Sequence, residues 1–280
     1  MSTGASNRRA PAGGKQRPVL RAVSAALLLG SSITVLALSR APQPADRARR
    51  LTVAAAADLK FAMDDILAEF RRVRPDVDVR VTYGSSGNLY AQAANGAPFD
   101  LFFSADREYV DQLQSRDLIL PGSDFVYAVG RLVLWVRRAS PLDLTPGLVV
   151  LRDSSVRRVA IANPAHAPYG RAAEAAMKSM NVYGEVRSKL VFGESVAQAA
   201  QFVESGAADA GIIALSLASS PALTKKGRLW EIPLSAYPRM EQGGAVLRRA
   251  RDPEAARALA TFVSGTRGRA TLERFGFVLP

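Results

Sequence analysis

The sequence predicts an α/β protein of two lobes, each a mostly parallel sheet flanked by helices. Residues 51–104 show strand-like and helix-like periodicity in the order β-α-β-α-β, which implies a parallel sheet with right-handed crossovers. The same succession of strand, small-residue turn and helix returns over residues 159–214. The 280 residues, 48% apolar and 22% charged, suffice for one large core or two lobes of ordinary size.

The first lobe begins with an apolar run at 51–56, which predicts a strand. The next apolar residues lie on one face of a helix that ends before Pro75: Leu59, Met63, Ile66, Leu67 and Phe70. Alternating valines predict a half-buried strand at 77–82, and a short strand at 100–104 follows a break at 96–98. Ligands of such sheets bind at the carboxyl ends of the strands, so we expect the site at that edge.

A turn rich in Gly and Ser, at residues 84–87, joins the second strand to a helix predicted at 89–95. Such a turn presents unpaired backbone N–H groups and Ser hydroxyls at the positive end of a helix dipole, which is an anion-binding arrangement. Taken alone, the turn favours an ordinary Ser cap. The same arrangement of strand, small-residue turn and helix recurs elsewhere in the chain, and this recurrence favours an anion site.

The strand-like run at 125–136, with Gly130 in its middle, and the Pro/Gly-rich loop at 140–147 predict the crossing into a second lobe. We expect strands there at 159–162, 189–192 and 209–214, and helices at 171–180 and after residue 195. The chain is expected to return from the second lobe to the first through residues 230–233 and 243–247. Helices at 253–263 and 267–275 are expected to complete the first lobe. Lobe 1 is therefore predicted to span 51–127 and 241–280, and lobe 2 to span 128–240.

The N-terminal segment has the pattern of an export signal: an apolar run at 22–38, free of charge, follows a basic stretch. The run is also near the lower limit of about 17 residues for a spanning helix. Residues 1–41 are thus predicted to be a signal peptide or an N-terminal membrane anchor, and 42–50 a polar linker. Either alternative places the body outside the cytoplasm, in the periplasm or on the outer face of the membrane.

The net charge of +12 is unevenly distributed. Residues 1–50 hold nine Lys or Arg and one acid, whereas the remaining chain holds 28 basic and 24 acidic residues. The predicted folded body is therefore only mildly basic, and a nucleic-acid partner is not indicated. The absence of Cys excludes disulfides, thiol chemistry and a lipobox.

The sequence carries no catalytic motif. Its one His, His166, lies in a Pro-rich loop, and zinc, nucleophile-elbow and P-loop motifs are missing. With one His and no Cys, a metal site built from those residues is excluded. We therefore predict no enzyme, no cofactor and no metal cation. Small polar residues at helix starts on two lobes favour the reversible capture of a compact anion.

Several blocks resemble the molybdate-binding proteins that deliver oxyanions to ABC importers, over about residues 51–280. They are VAAAADL at 53–59, YGSSGNL at 83–89, GAPFDLFFSAD at 96–106, NPxHxPxG at 163–170, GII at 211–213 and FGF at 275–277. The block at 96–106 is the most specific. The resemblance implies a type II periplasmic-binding-protein-like fold, whose two α/β lobes are joined by crossing strands and close on the ligand like a hinge.

In the family that the chain resembles, hydroxyls and backbone N–H groups at four helix starts hold the oxyanion without a counter-charge. The resemblance implies that the matching positions here, Asp58, Ser86, Tyr169 and Val196, bind it. Ser86 matches the family's Ser, Tyr169 supplies a hydroxyl or an amide, and Val196 supplies its backbone N–H. Two positions depart from the family pattern: Asp58 replaces Ser or Asn, and Ala214 stands where some members carry a second Tyr.

The Asp58 carboxylate conflicts with an anionic ligand. A like charge about 4 Å away costs about 4 kcal/mol at an effective dielectric near 20. Three resolutions are open: Asp58 caps its own helix, or is protonated and donates to the ligand, or accepts a proton that the ligand carries. The first is favoured because Asp is a preferred N-cap.

The sequence thus predicts an extracytoplasmic, monomeric binding protein that captures molybdate or tungstate. Its expected partners are this oxyanion and the membrane permease and ATPase subunits of an ABC importer. The alternative is a binding protein of the same fold for sulfate, phosphate or a small organic acid. The ligand-sensing half of a regulator is disfavoured, since residues 1–50 cannot form a helix-turn-helix.

Overall fold

Two five-stranded sheets form the frame of the chain in the computed structural model, which describes residues 49–280. The strands are β1 Arg49–Ala56, β2 Val77–Gly84, β3 Leu101–Ser104, β4 Phe125–Gly130, β5 Leu132–Arg137, β6 Val159–Ala162, β7 Leu190–Gly193, β8 Ala210–Ala214, β9 Gly227–Glu231 and β10 Met240–Val246. The predicted signal or anchor at 1–41 lies outside the described residues. β1 begins within the segment predicted as a linker.

Helices flank both sheets. They are α1 Lys60–Val73, α2 Ser86–Ala94, α3 Glu108–Ser115, α4 Pro168–Ser179, α5 Tyr183–Val186, α6 Val196–Ser205, α7 Leu215–Ala218, α8 Pro221–Thr224, α9 Pro253–Ser264 and α10 Thr266–Arg274. Short 3-10 helices lie at Ala57–Leu59, Gly147–Arg152, Arg187–Lys189 and Leu234–Ala236. Between residues 49 and 280, no helix is both long enough and apolar enough to cross a membrane.

The first sheet, in lobe 1, has the strand order β2-β1-β3-β10-β4. β1 is parallel to both β2 and β3, as the β-α-β-α-β order predicted, whereas β10 is antiparallel to its neighbours β3 and β4. Apolar side chains cover both faces of this sheet. Leu101 and Phe103 pack toward one face and Phe102 toward the other, which explains why β3 is apolar at each of these three successive positions.

The second sheet, in lobe 2, has the order β7-β6-β8-β5-β9, with β6 parallel to β7 and β8. β5 is antiparallel to its neighbours β8 and β9. The chain passes between the sheets twice, at Arg131 and between β9 and β10. The strand-like run at 125–136 is therefore two strands in two sheets. The predicted fold class, two α/β lobes with flanking helices, is confirmed.

Candidate functional site

A small cavity lies between the lobes, where β1, β2 and β3 end and α4 and α6 begin. All four sequence-predicted site residues line it: Asp58, Ser86, Tyr169 and Val196. The other lining residues are Ala56, Ala57, Gly84, Ser85, Ala105, Ala167 and Pro168. The cavity volume is about 10 Å³, roughly what one water molecule needs and far below the roughly 300–1,000 Å³ of pockets that hold drug-sized organic ligands. None of these lining residues is Lys or Arg.

Ser86 is the first residue of α2 and is almost fully buried. The helix begins three residues before its predicted start, because Ser85 takes the extended N-cap conformation and Ser86 and Gly87 are already helical. The Ser86 hydroxyl oxygen accepts a hydrogen bond from the backbone N–H of Ala105 at 2.9 Å. Its own proton therefore remains available to donate to a ligand.

Val196 is the first residue of α6, so its backbone N–H is among those that have no partner inside the helix. The side chain of Ser195, at the N-cap, accepts from the N–H of Gln198 at 3.3 Å. The cap binds the N–H of Gln198 and not that of Val196. The N–H of Val196 therefore stays available at the positive end of the α6 dipole. The second lobe thus presents a helix N-terminus to the cavity, as α2 does from the first lobe.

Asp58 lies inside the 3-10 helix Ala57–Leu59, and its side chain is almost fully buried. Its Oδ2 accepts hydrogen bonds from the Tyr169 hydroxyl at 3.0 Å and from Gln242 Nε2 at 2.8 Å. Its Oδ1 is buried and has no hydrogen-bond partner. Burial raises the pKa of this carboxyl from 3.8 to about 6, against the opposing effect of the bonds from Gln242 and Tyr169.

The predicted N-cap role of Asp58 is wrong. The residue before α1 is Leu59, and no side chain caps either α1 or the preceding 3-10 helix. The carboxylate instead accepts from a hydroxyl of lobe 2 and an amide of β10. The first of the three resolutions for Asp58 therefore does not apply to this structure.

Gln242, which the sequence did not indicate, holds this cluster together. It is fully buried in β10, and its Nε2 also lies 3.1 Å from the Tyr169 hydroxyl. Its Oε1 accepts from the Tyr127 hydroxyl at 2.9 Å. The pairing of β10 with β4 shifts in register between Gln242 and Gly243, and such bulges commonly redirect a side chain beside a site. The available signal was a second polar residue, directly after Glu241, at the start of a strand whose remaining residues are small and apolar.

Tyr169 is the second residue of α4, and its ring is buried. Burial raises its pKa well above the ordinary value, so the phenol stays neutral and donates its proton to Asp58. The close approach depends on Gly130 at the end of β4. A Cβ at Gly130 would lie 2.5 Å from the Tyr169 hydroxyl and 2.7 Å from Gln242 Nε2.

Further hydrogen bonds join the lobes around the cavity. The backbone N–H of Gly87 donates to the carbonyl of His166 at 2.9 Å, and the Ser85 hydroxyl lies 2.9 Å from His166 Nδ1. Arg171 donates to Asp106 at 2.6 Å and to the Tyr109 hydroxyl at 3.1 Å. The lobes are thus in contact on several sides of the cavity, so the structure is a closed form. His166 thus contacts the opposite lobe through its backbone carbonyl and its ring. Its position in a Pro-rich loop did not predict these contacts.

Two α/β lobes that close over a small cavity lined by hydroxyls and helix N-termini define a two-lobe ligand-binding protein. The family model for the bacterial extracellular solute-binding protein matches residues 51–278. The chain belongs to this family.

Individual relatives within this broad family are molybdate-binding proteins. The molybdate-binding protein ModA of Azotobacter vinelandii is 35% identical over 237 residues, which are 84% of this chain and 92% of that protein. ModA of Rhodobacter capsulatus is 35% identical over 71% of this chain and 77% of its own length. The solved periplasmic molybdate-binding protein of A. vinelandii has a TM-score of 0.77 at 31% identity and covers 82% of this chain and 99% of its own. These matches confirm the resemblance that the sequence blocks indicated.

Proposed function

We propose that this protein captures molybdate outside the cytoplasm and delivers it to an ABC importer. The observation that carries the proposal is the convergence of Asp58, Ser86, Tyr169 and Val196 on one small cavity between two lobes. The chain resembles molybdate-binding proteins over most of its length. Hydroxyl and N–H donors around a small cavity suit a compact oxyanion.

The donors of this cavity are neutral. Ser86 contributes a free hydroxyl proton, and α2, α4 and α6 begin at the cavity, so their dipoles favour negative charge. Fixed dipoles of this kind bind an anion without a Lys or Arg ion pair. Because opening of the lobes would remove half of these donors at once, the same geometry allows release. Tungstate, which has the same charge and shape, is expected to compete.

The partners and location in this proposal follow from family membership and from the N-terminal segment. Delivery requires the membrane permease and ATPase subunits of an ABC importer. The signal-like run at 22–38 would direct the body across the membrane. The protein would act as a monomer, since one chain supplies both lobes of the site. It would act by binding rather than by catalysis.

Titration calorimetry of the purified protein with molybdate, tungstate, sulfate and phosphate tests the proposal. We expect one molybdate per chain without added metal or nucleotide, competition by tungstate, and weak or no binding of sulfate and phosphate. In a thermal-shift assay, ligand at about one hundred times its Kd should add about 2.7 kcal/mol of stability. Failure to bind any of the four anions would refute the proposal, and a preference for phosphate would reassign the ligand.

A further inference from the structure

We infer that Asp58 is protonated when the site is loaded, that its Oδ1–H donates to the bound oxyanion, and that binding takes up one proton per ligand. This inference rests on the proposed function and names the protonation state that the site requires. It selects the second of the three resolutions for Asp58. It also makes Gln242 and Tyr169 positioning residues, which fix the oxygen that carries the proton.

The hydrogen bonds of Asp58 distinguish its two oxygens. Oδ2 accepts from two donors, the Tyr169 hydroxyl at 3.0 Å and Gln242 Nε2 at 2.8 Å. Oδ1 is buried without a partner, although Asp58 lines the cavity. Because Oδ2 is occupied by donors, a proton on the carboxyl must sit on Oδ1. A buried O–H group needs an acceptor, and an oxygen of the ligand supplies one.

The surroundings of Asp58 offer no other way to neutralise it. The side chains that face it are Tyr169 from α4, Tyr127 from β4 and Gln242 from β10. The backbone N–H groups of Asp58 itself and of Leu59 also favour the ionised carboxylate, though less than Gln242 and Tyr169 do. The Ser216 hydroxyl from α7 donates to the Asp58 backbone carbonyl at 2.8 Å. Burial raises the pKa of both tyrosines, so both stay neutral. Among the residues described, no Lys, Arg or His bonds to this carboxylate. An anion placed beside it therefore favours its protonation.

The charge balance on binding is simple. In the empty site at pH 8, Asp58 is mostly ionised, since burial raises its pKa only to about 6. When the dianion enters, the carboxylate takes one proton from solvent on Oδ1 and becomes a donor. The cavity then presents donors on every side, which disfavours an oxyanion that carries its own proton. The neutral acid thus adds discrimination against hydrogen phosphate.

Calorimetry with molybdate at pH 8, repeated in two buffers of different ionisation enthalpy, counts the protons taken up. We expect about one proton per molybdate for the wild-type protein. The Kd should rise about tenfold per pH unit from pH 7 to 8.5, where molybdate itself remains a dianion. Asp58→Asn keeps an acceptor oxygen for Tyr169 and Gln242 and supplies an N–H donor, yet cannot titrate. It should bind molybdate with no proton uptake and a flat pH profile.

The matched control is Asp65→Asn, which removes an exposed carboxylate of α1 that pairs with Arg274. It should retain the wild-type proton count.

Molybdate binding by the wild type without proton uptake would overturn the inference and leave the proposed function standing. Uptake that persists in Asp58→Asn would assign the proton to another group and would also overturn the inference. No binding of molybdate by the wild type would overturn the proposed function and this inference together. The wild-type proton count stands even if Asp58→Asn fails to fold.

Discussion

Gly87 and His166 join the two lobes through backbone atoms alone. The N–H of Gly87, in the first turn of α2, donates to the carbonyl of His166 at 2.9 Å. A Cβ at Gly87 would lie 2.5 Å from that oxygen and 2.8 Å from the Tyr109 hydroxyl. Closure of the lobes therefore requires glycine here, because the carbonyl of His166 belongs to the backbone and cannot rotate away.

Gly87→Ala should weaken oxyanion binding by about tenfold or more, which corresponds to about 1.4 kcal/mol or more. The added methyl group opposes the closed form through the His166 carbonyl, whereas in an open form only the Tyr109 hydroxyl, the end of a flexible side chain in the same lobe, would have to move. The ligand-free protein should therefore keep its melting temperature, and calorimetry should show the loss in Kd. Gly184→Ala is the matched control, since a methyl group added at Gly184 would have no neighbouring atom within 4 Å. Equal affinities for the two variants would mean that the lobes do not close through this contact.

Ser86→Ala should weaken binding by roughly ten- to a hundredfold, since a hydrogen bond to a charged group contributes about 1.5–3 kcal/mol. It should also lower the stability of the ligand-free protein by about 1–3 kcal/mol, because the N–H of Ala105 loses its acceptor. Calorimetry measures the first effect and urea unfolding the second. A stability loss with unchanged Kd would show that Ser86 only supports the loop at Ala105.

Tyr169→Phe should change the pH dependence of binding more than its strength. The Tyr169 hydroxyl already donates to Asp58, and this bond lowers the pKa of the carboxyl. Its removal should raise that pKa, so the pH at which the affinity for molybdate begins to fall should move upward. A Kd series from pH 6 to 8.5 measures the shift. Tyr90→Phe, which removes a hydroxyl that contacts Arg116, should leave the profile unchanged. An identical profile for both variants would contradict this role.

Local patterns predicted much of the fold. The apolar run at 159–162 predicted β6 with its observed bounds. The apolar residues from Leu59 to Phe70, which recur on one helical face, predicted α1. The division of the run at 125–136 was harder, since β4 and β5 are both largely buried and only Gly130 and Arg131 interrupt their apolar residues. The helix α3 was missed because it buries only Val110 and Leu113, too few residues for a clear periodic signal.

The site was predictable where it depends on helix starts and not where it depends on packing between lobes. Ser86 and Val196 each follow a strand and begin a helix, so the local sequence pattern is enough to predict their positions. Asp58 and Gln242 are 184 residues apart and bond through the closed arrangement of the whole chain. A sequence pattern could place Asp58 at a helix start, but it could not show that a hydroxyl and an amide from elsewhere would compete for its carboxylate.

Asp58→Asn should stabilise the ligand-free protein at neutral and alkaline pH. Burial raises the folded-state pKa of Asp58 from 3.8 to about 6. A raised carboxyl pKa contributes stability below pH 3.8, and this contribution is lost as the pH rises through about 6. The shift of about 2 pH units corresponds to about 3 kcal/mol. The Asn side chain stays neutral throughout, so the variant avoids that loss.

The expected signature is a difference that depends on pH. At pH 4 the wild type and Asp58→Asn should unfold at similar temperatures, because the wild-type carboxyl is then mostly protonated when folded. At pH 8 the variant should melt higher by about 6–12 °C, given about 2–4 °C per kcal/mol for a chain of this size. Asp65→Asn, at an exposed position on α1, should show no such divergence. A constant offset between wild type and Asp58→Asn from pH 4 to 8 would show that the buried carboxyl does not titrate in this range, because only a group that gains or loses a proton makes stability vary with pH.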